Sequence, residues 1–231
     1  MPSALPAHES RPVFRIHLAS ASPRRRELLR LTGWDFTVEP SVVDETPSAG
    51  ETPSNTARRL AREKAEAATQ SAPGEWILSA DTIVIEDGRL LGKPADAAEA
   101  EAMLQGLRGK DHGVVTAIAL RNPATGQVIE DACETAVPMR AYTATETRAY
   151  VASGAPFDKA GGYGIQDPDF QPVDLRRLEG CYANVMGLPL CHLVRGARRL
   201  GYEPPADVPA ACTAHLAYDC RVYPAILRGE A

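Results

Sequence analysis

From Trp76 to Glu86 the chain runs through apolar residues rich in β-branched types, and Ser79-Ala80-Asp81-Thr82 stands in the middle of that run. Its length, and the Asp87-Gly88 turn signal behind it, predict a buried strand. A carboxylate in such a strand must pair with a cation, bind a metal or take a proton, because a buried unpaired charge costs several kcal/mol. The remainder of the chain has to supply what position 81 requires.

Strands and helices alternate around it. Residues 13–19 read as a first strand, and Ser20-Ala21-Ser22-Pro23 leads into a helix over 24–31, since serine before the first turn and proline within it mark a helix start; Gly33 stops that helix. A short strand at 35–39 precedes a Pro/Ser-rich loop at 40–52 and a long helix at 53–70. Next come a helix at 96–107, strands at 113–121 and 127–140, a short helix at 145–153 and a closing helix at 188–200. This alternation predicts the α/β class. A chain of 231 residues suits one domain, or one domain with two lobes. It divides into a flexible tail at 1–12, a domain at 13–203, and a Pro/Ala-rich C-terminal extension at 204–231 whose apolar end the pattern does not place.

Composition narrows the function classes. With 44% hydrophobic and 24% charged residues the chain has the profile of a soluble globular protein. No apolar stretch approaches the roughly 18–20 residues of a spanning helix, and no basic flank precedes an apolar run at the N-terminus, so neither membrane nor export is expected. Cys133, Cys181, Cys191, Cys212 and Cys220 form no CxxC pair, which predicts reduced thiols and a cytoplasmic location. A net charge of -5 argues against long nucleic acid, whose binding needs a basic surface. Local basic clusters still allow a small anion pocket.

Four segments carry candidate chemistry. In Ser20-Ala21-Ser22-Pro23-Arg24-Arg25-Arg26 a helix N-terminus offers free N–H groups to a phosphate. Arginines are disfavoured at that end unless an anion compensates; a solvated basic face with a serine cap accounts for the same residues. Arg59-Leu60-Ala61-Arg62-Glu63-Lys64 has the spacing of surface ion pairs. Asp81 is followed by Leu91-Gly92-Lys93-Pro94, and Asp44 and Glu45 in the preceding loop have the chemistry to complete an oxygen set for Mg²⁺ with it; a salt bridge from Asp81 to a nearby Lys or Arg is the alternative. Phe157-Asp158-Lys159-Ala160-Gly161-Gly162-Tyr163-Gly164-Ile165-Gln166 allows a backbone path close to a ligand, or an ordinary turn. There is no P-loop, no GxSxG elbow and no HExxH. His17, alone in a strand, reads as a satisfied core group.

Taken in order, LASASPRRRELL, RLAREKA, SADTIVI, LGKP, DKAGGYGIQ and EGCYANVMGLPL resemble the Maf family of nucleotide pyrophosphatases over residues 16–201. The resemblance implies an elongated three-layer α/β/α fold with a mixed sheet, like that of the inosine triphosphatases, with the nucleotide in a cleft between two lobes. It implies hydrolysis of dTTP and UTP, and of modified pyrimidine nucleotides, to the monophosphate and pyrophosphate with a divalent metal, Mg²⁺ or Mn²⁺. Asp81 matches the family's catalytic acid, described as a proton acceptor. Arg24, Thr82 and Gln166 match positions that distinguish substrate preference. Ser20, Arg25, Lys64 and Lys93 match cleft positions that grip phosphates, and Asp44 or Glu45 an acidic position near the metal, which leaves Asp81 open as base or ligand.

The subgroup acting on 7-methyl-GTP has tryptophan where this chain has Arg24. A non-catalytic regulator of septum formation is the competing class, against which stands the retention of the acidic and basic cleft residues. The resemblance extends to a homodimer, which no residue pattern here carries. Two departures stand out: an insertion beginning Asp167-Pro168-Asp169-Phe170-Gln171-Pro172-Val173-Asp174 next to Gln166, and the segments at both ends of the chain.

Overall fold

The computed structural model describes residues 14–68, 71, 72 and 74–230. The tail expected at 1–12, Val13 at the start of the first strand, and Thr69 and Gln70 at the end of the second helix lie outside the described residues. The elements follow in the order β1 (Ile16–Leu18), α1 (Pro23–Arg30), β2 (Phe36–Val38), α2 (Pro53–Ala67), β3 (Trp76–Glu86) and β4 (Arg89–Leu91). Then come α3 (Ala97–Leu107), β5 (Asp111–Arg121), β6 (Val128–Pro138), α4 (Ala144–Ala152), α5 (Tyr182–Met186), α6 (Leu190–Arg199), α7 (Val208–Leu216) and α8 (Tyr223–Arg228).

Side chains written into the sequence start these helices. Ser22, Thr52, Asp96, Thr143 and Asp207 each accept a first-turn N–H, and Thr143 with Glu146 forms a reciprocal capping box. The strands form one mixed sheet in the order β2-β1-β3-β5-β6, with β4 also on β3. Strands β2, β1 and β3 run parallel, whereas β4 and β5 pair with β3, and β6 with β5, antiparallel. Strand β4 is an addition, since the sequence shows a turn signal at Asp87-Gly88 and no strand pattern after it.

The pairing of β3 creates the opening that matters. One edge is bonded to β5 from Ile77 to Ile85. The other is bonded to β1 only at Trp76, Ile77 and Leu78 and to β4 only at Val84, Ile85 and Glu86. Between them, residues 79–83 have no ladder partner on that edge, and Asp81 and Thr82 lie in the gap.

Successive strand residues face opposite sides. Trp76, Leu78, Ala80 and Val84 join the larger core, with Leu28 of α1, Leu104 of α3 and Leu193 of α6. Ile77 and Ile83 join a smaller one, where α2 lays Ala57, Ala61 and Ala65 against Ala117 and Ala119 of β5. Alanines four residues apart make a flat stripe that lets α2 come close; the Ser79 hydroxyl donates to the Ala61 carbonyl. The sheet thus lies between helices on both faces, the mixed α/β arrangement expected.

Residues 204–230, for which the sequence offered no placement, form α7 and α8 against the larger core. Val208 and Ile226 are buried, and the Tyr218 hydroxyl donates to the Leu178 carbonyl at 2.7 Å. The insertion is likewise tied in: Phe170 stacks on Tyr150 with centroids 4.3 Å apart, and Arg140 donates to the carbonyls of Phe170 and Gln171. Among the described residues no helix is long and apolar enough to cross a membrane.

Candidate active site

The gap in β3 opens into a cleft of about 770 Å³. Of the residues expected to carry chemistry, Ser20, Arg24, Arg25, Glu45, Lys64, Asp81, Thr82, Lys93 and Gln166 all line it. Asp44 is not brought in. Its carboxylate accepts from the Thr46 N–H at 3.0 Å and the Thr46 hydroxyl at 2.6 Å, an exposed local turn, and these bonds hold its pKa down. Of the two loop acids, only Glu45 reaches the cleft.

Asp81 is 6% exposed and faces α2, where Lys64, itself 8% exposed, places its ammonium nitrogen 2.6 Å from Asp81 Oδ1. The same nitrogen lies 2.6 Å from Glu45 Oε1. The partial burial of Glu45 raises its pKa, but the hydrogen bond and charge of Lys64, with Lys93 and Arg25 behind, outweigh that and hold it below the ordinary range. The charge requirement set by the strand is therefore met by a lysine shared between two carboxylates, and the salt bridge posed as an alternative is present.

Thr82, one residue on, faces the other side and meets α1. Arg25 Nη2 donates to Thr82 Oγ1 at 3.0 Å, Nη1 to Ser20 Oγ at 3.3 Å, and Nε to the Gly187 carbonyl at 2.8 Å. All three acceptors are neutral. Burial lowers the pKa of Arg25, opposed by the charges of Asp81 and Glu45. Thr82 in turn bonds Thr116 at 3.0 Å, which is fixed by Asn184: its N–H donates to Asn184 Oδ1 at 3.1 Å and its hydroxyl to the Asn184 carbonyl at 2.9 Å. That chain carries the position of α5 through β5 to the arginine.

At the rim Arg24 pairs with Asp158 at 2.8 Å, while Lys93 is exposed. Burial raises the Asp158 pKa, but hydrogen bonds from Lys159 and Arg24 bring it below the usual range. Gln166 donates Nε2 to Asp167 Oδ1 at 3.0 Å. Arg59 stays outside, bound to Glu51 and Glu63 as surface spacing suggested. His17 is a buried group bonded to Thr37 Oγ1 at 3.1 Å.

Sequence reasoning passed over Asp158 and Lys159 as site residues. The glycines of that segment drew attention, although an adjacent Asp-Lys pair at the mouth of a glycine turn was the better signal, because Lys159 is 8% exposed and lines the cleft.

For a divalent cation the cleft offers two hard oxygen donors, Asp81 and Glu45, gathered on one ammonium nitrogen. Among the described residues no group of three or more His, Cys, Asp or Glu is placed to hold a metal ion. Two carboxylates suit Mg²⁺, which takes its other ligands from phosphate and water; they do not make a site that would hold a cation unaided.

Comparison with known proteins now bears on this site. A dTTP/UTP pyrophosphatase of Thermomicrobium roseum is 48% identical over 193 residues, 83% of this chain and 86% of that protein. One of Geotalea uraniireducens is 47% identical over 186 residues, 80% of this chain and 95% of that protein. The Staphylococcus aureus Ham1 protein, 17% identical with a TM-score of 0.40 over 69% of this chain and 79% of that one, is too loose a likeness to carry an inference. The family model described as Maf-like protein matches residues 15–200, from β1 through α6 and across every residue that lines the cleft, and the chain belongs to that family.

Proposed function

We propose that this chain hydrolyses UTP and dTTP, together with pyrimidine-modified forms, to the monophosphate and pyrophosphate. The observation that supports it most is Arg25, whose guanidinium is held by three neutral oxygens in a cleft shared with Asp81, so its charge remains available to a polyanion. The names of the relatives supply the nucleotide.

Ser20, Arg25, Lys64 and Lys93 hold the triphosphate, Arg25 through a fork whose plane is already set and the lysines as point charges. Asp81 takes the proton of the attacking water. Lys64 keeps the Asp81 carboxylate aimed into the cleft, and Thr82 holds Arg25. Asp81 and Glu45 would hold a divalent cation, Mg²⁺ or Mn²⁺, with phosphate oxygens; such an ion lowers the pKa of water and neutralises developing charge. Positioning and electrostatics thus supply most of the rate.

The test is pyrophosphate release across a panel of nucleoside triphosphates with and without Mg²⁺. UTP and dTTP should lead and the metal-free reaction should be slow. Asp81→Asn should lose about 10²–10⁴-fold in kcat, the range of a positioned proton acceptor. Near-normal turnover by that variant, or 7-methyl-GTP as the leading substrate, would overturn the reading.

A further inference from the structure

The amide of Gln166 lines the cleft and is not free to turn. Nε2 donates to Asp167 Oδ1 at 3.0 Å, and Oε1 is shielded, without a hydrogen-bond partner. The other oxygen of Asp167, Oδ2, faces two donors: the Tyr150 hydroxyl, and Lys159 Nζ at 3.5 Å. Both are directed. The Tyr150 oxygen accepts the Gly164 N–H at 3.2 Å, which turns its proton toward Asp167. Lys159 is set by the Ala155 carbonyl at 2.5 Å and Asp158 Oδ1 at 2.8 Å. A carboxylate accepts with both oxygens, so the nitrogen of Gln166 is drawn to Asp167 and its oxygen is left an acceptor without a donor, in a residue that lines the cleft.

We propose that Asp167, oriented by Tyr150 and Lys159, is a positioning residue for base selection: it holds Gln166 with Oε1 toward the nucleotide. A base with N3–H, uracil or thymine, satisfies that acceptor. Cytosine, whose N3 is itself an acceptor, meets it with like polarity, and an unpaired buried polar group is how a site rejects a close analogue. The inference rests on the pyrimidine nucleotide reading above and adds the device that separates UTP from CTP.

The deciding substitution is Asp167→Asn, which keeps shape and changes one oxygen to NH₂. Tyr150 and Lys159 can only donate to this side chain from their present positions, so the new amide turns its oxygen to them and its NH₂ to Gln166. Gln166 must then rotate and offer Nε2 to the base. The expected result is a fall in kcat/KM of about tenfold on UTP and a rise of about tenfold on CTP, the size of one hydrogen bond gained or lost. The change should sit mainly in KM. A merely structural role lowers both nucleotides together, and a gain on CTP cannot come from damage.

Tyr150→Phe keeps the ring stack on Phe170 and removes one of the two donors. It should move the UTP to CTP ratio in the same direction by about threefold, and it provides the reading if Asp167→Asn does not fold. An unchanged ratio in the folded variants overturns the proposal. Wild-type protein that turns over neither pyrimidine nucleotide, or prefers purines, is a different failure: it removes the pyrimidine reading, and this inference with it.

Discussion

Two carboxylates are buried in this sheet, one on each face, and each meets its cation differently. Asp131 on β6 is gripped by Arg195 of α6 through three hydrogen bonds of 2.8–3.0 Å, and Arg195 also donates to the Ile226 carbonyl. Asp81 on β3 has, among the described residues, one hydrogen-bonded partner, a lysine shared with Glu45. A fork on a carboxylate closes both partners to anything else. A shared ammonium in an open cleft leaves the Glu45 carboxylate exposed and a charge to redistribute when a ligand arrives. The arginines repeat the contrast, since Arg195 spends its charge on Asp131 whereas Arg25 is held by neutral oxygens and keeps its own.

Removing each acid separates the two designs most sharply. Asp131→Ala removes the buried carboxylate that Arg195 forks through three hydrogen bonds and should cost about 3–5 kcal/mol in unfolding free energy. Asp81→Ala leaves the Lys64 ammonium still paired with Glu45 and should cost less, about 1.5–3 kcal/mol, the worth of one hydrogen bond between charged groups. Urea melts of the two variants decide it. Equal losses would mean that the cleft pair holds the fold together and is not kept open for a ligand.

Acid should weaken the fold through two buried histidines. His192 on α6 has its pKa pushed down to about 4 by burial, with the Asp131 charge opposing and Arg195 and Arg58 adding to the shift. From about pH 6.5 down to about 4 the unfolded chain binds this proton and the folded chain does not, so stability falls as pH falls across that window. Above it the contribution is constant. The loss amounts to at most about 3 kcal/mol. His112, bonded to the Tyr163 hydroxyl at 2.8 Å and likewise pushed down to about 4 by burial, adds a slope of the same sign. His192→Gln should therefore remove about half of the acid dependence of the melting midpoint, and an unchanged slope would rule out its role.

What the sequence made legible was whatever a local pattern records. The Trp76–Glu86 run specified β3 to the residue, and Ser22 with Pro23 specified the start of α1. That Asp81 required a cation, a metal or a proton followed from burial alone, and Lys64 answers it as the cation. Other features depend on distant pairing. Strand β4 exists because Leu90 and Leu91 fold back on Ile85 and Val84, a three-residue match too short for periodicity to show. Asp44 and Glu45 are adjacent and chemically alike, and only the path of the loop turns one into the cleft and the other onto Thr46. The extension had no legible period because α7 and α8 each bury little beyond Val208 and Ile226.

Gly187 tests the smallest part of the contrast, the neutral seat of Arg25. It ends α5 at φ 106°, in the left-handed region, and its carbonyl accepts Arg25 Nε at 2.8 Å. A Cβ there would lie 3.1 Å from Thr82 Oγ1 and 3.4 Å from Arg25 Nε, so alanine strains the backbone and also presses on the two groups that aim the guanidinium. Gly201 supplies the control, with φ +83° and nothing within 4 Å of its Cβ position. Both alanine variants should lose about 1–2 kcal/mol of stability from the left-handed backbone. Only Gly187→Ala should also raise KM for the nucleotide, by about threefold to tenfold with kcat little changed, as expected for a phosphate contact shifted but not removed. If the two variants share one KM, Arg25 tolerates displacement, and its neutral partners are incidental to binding.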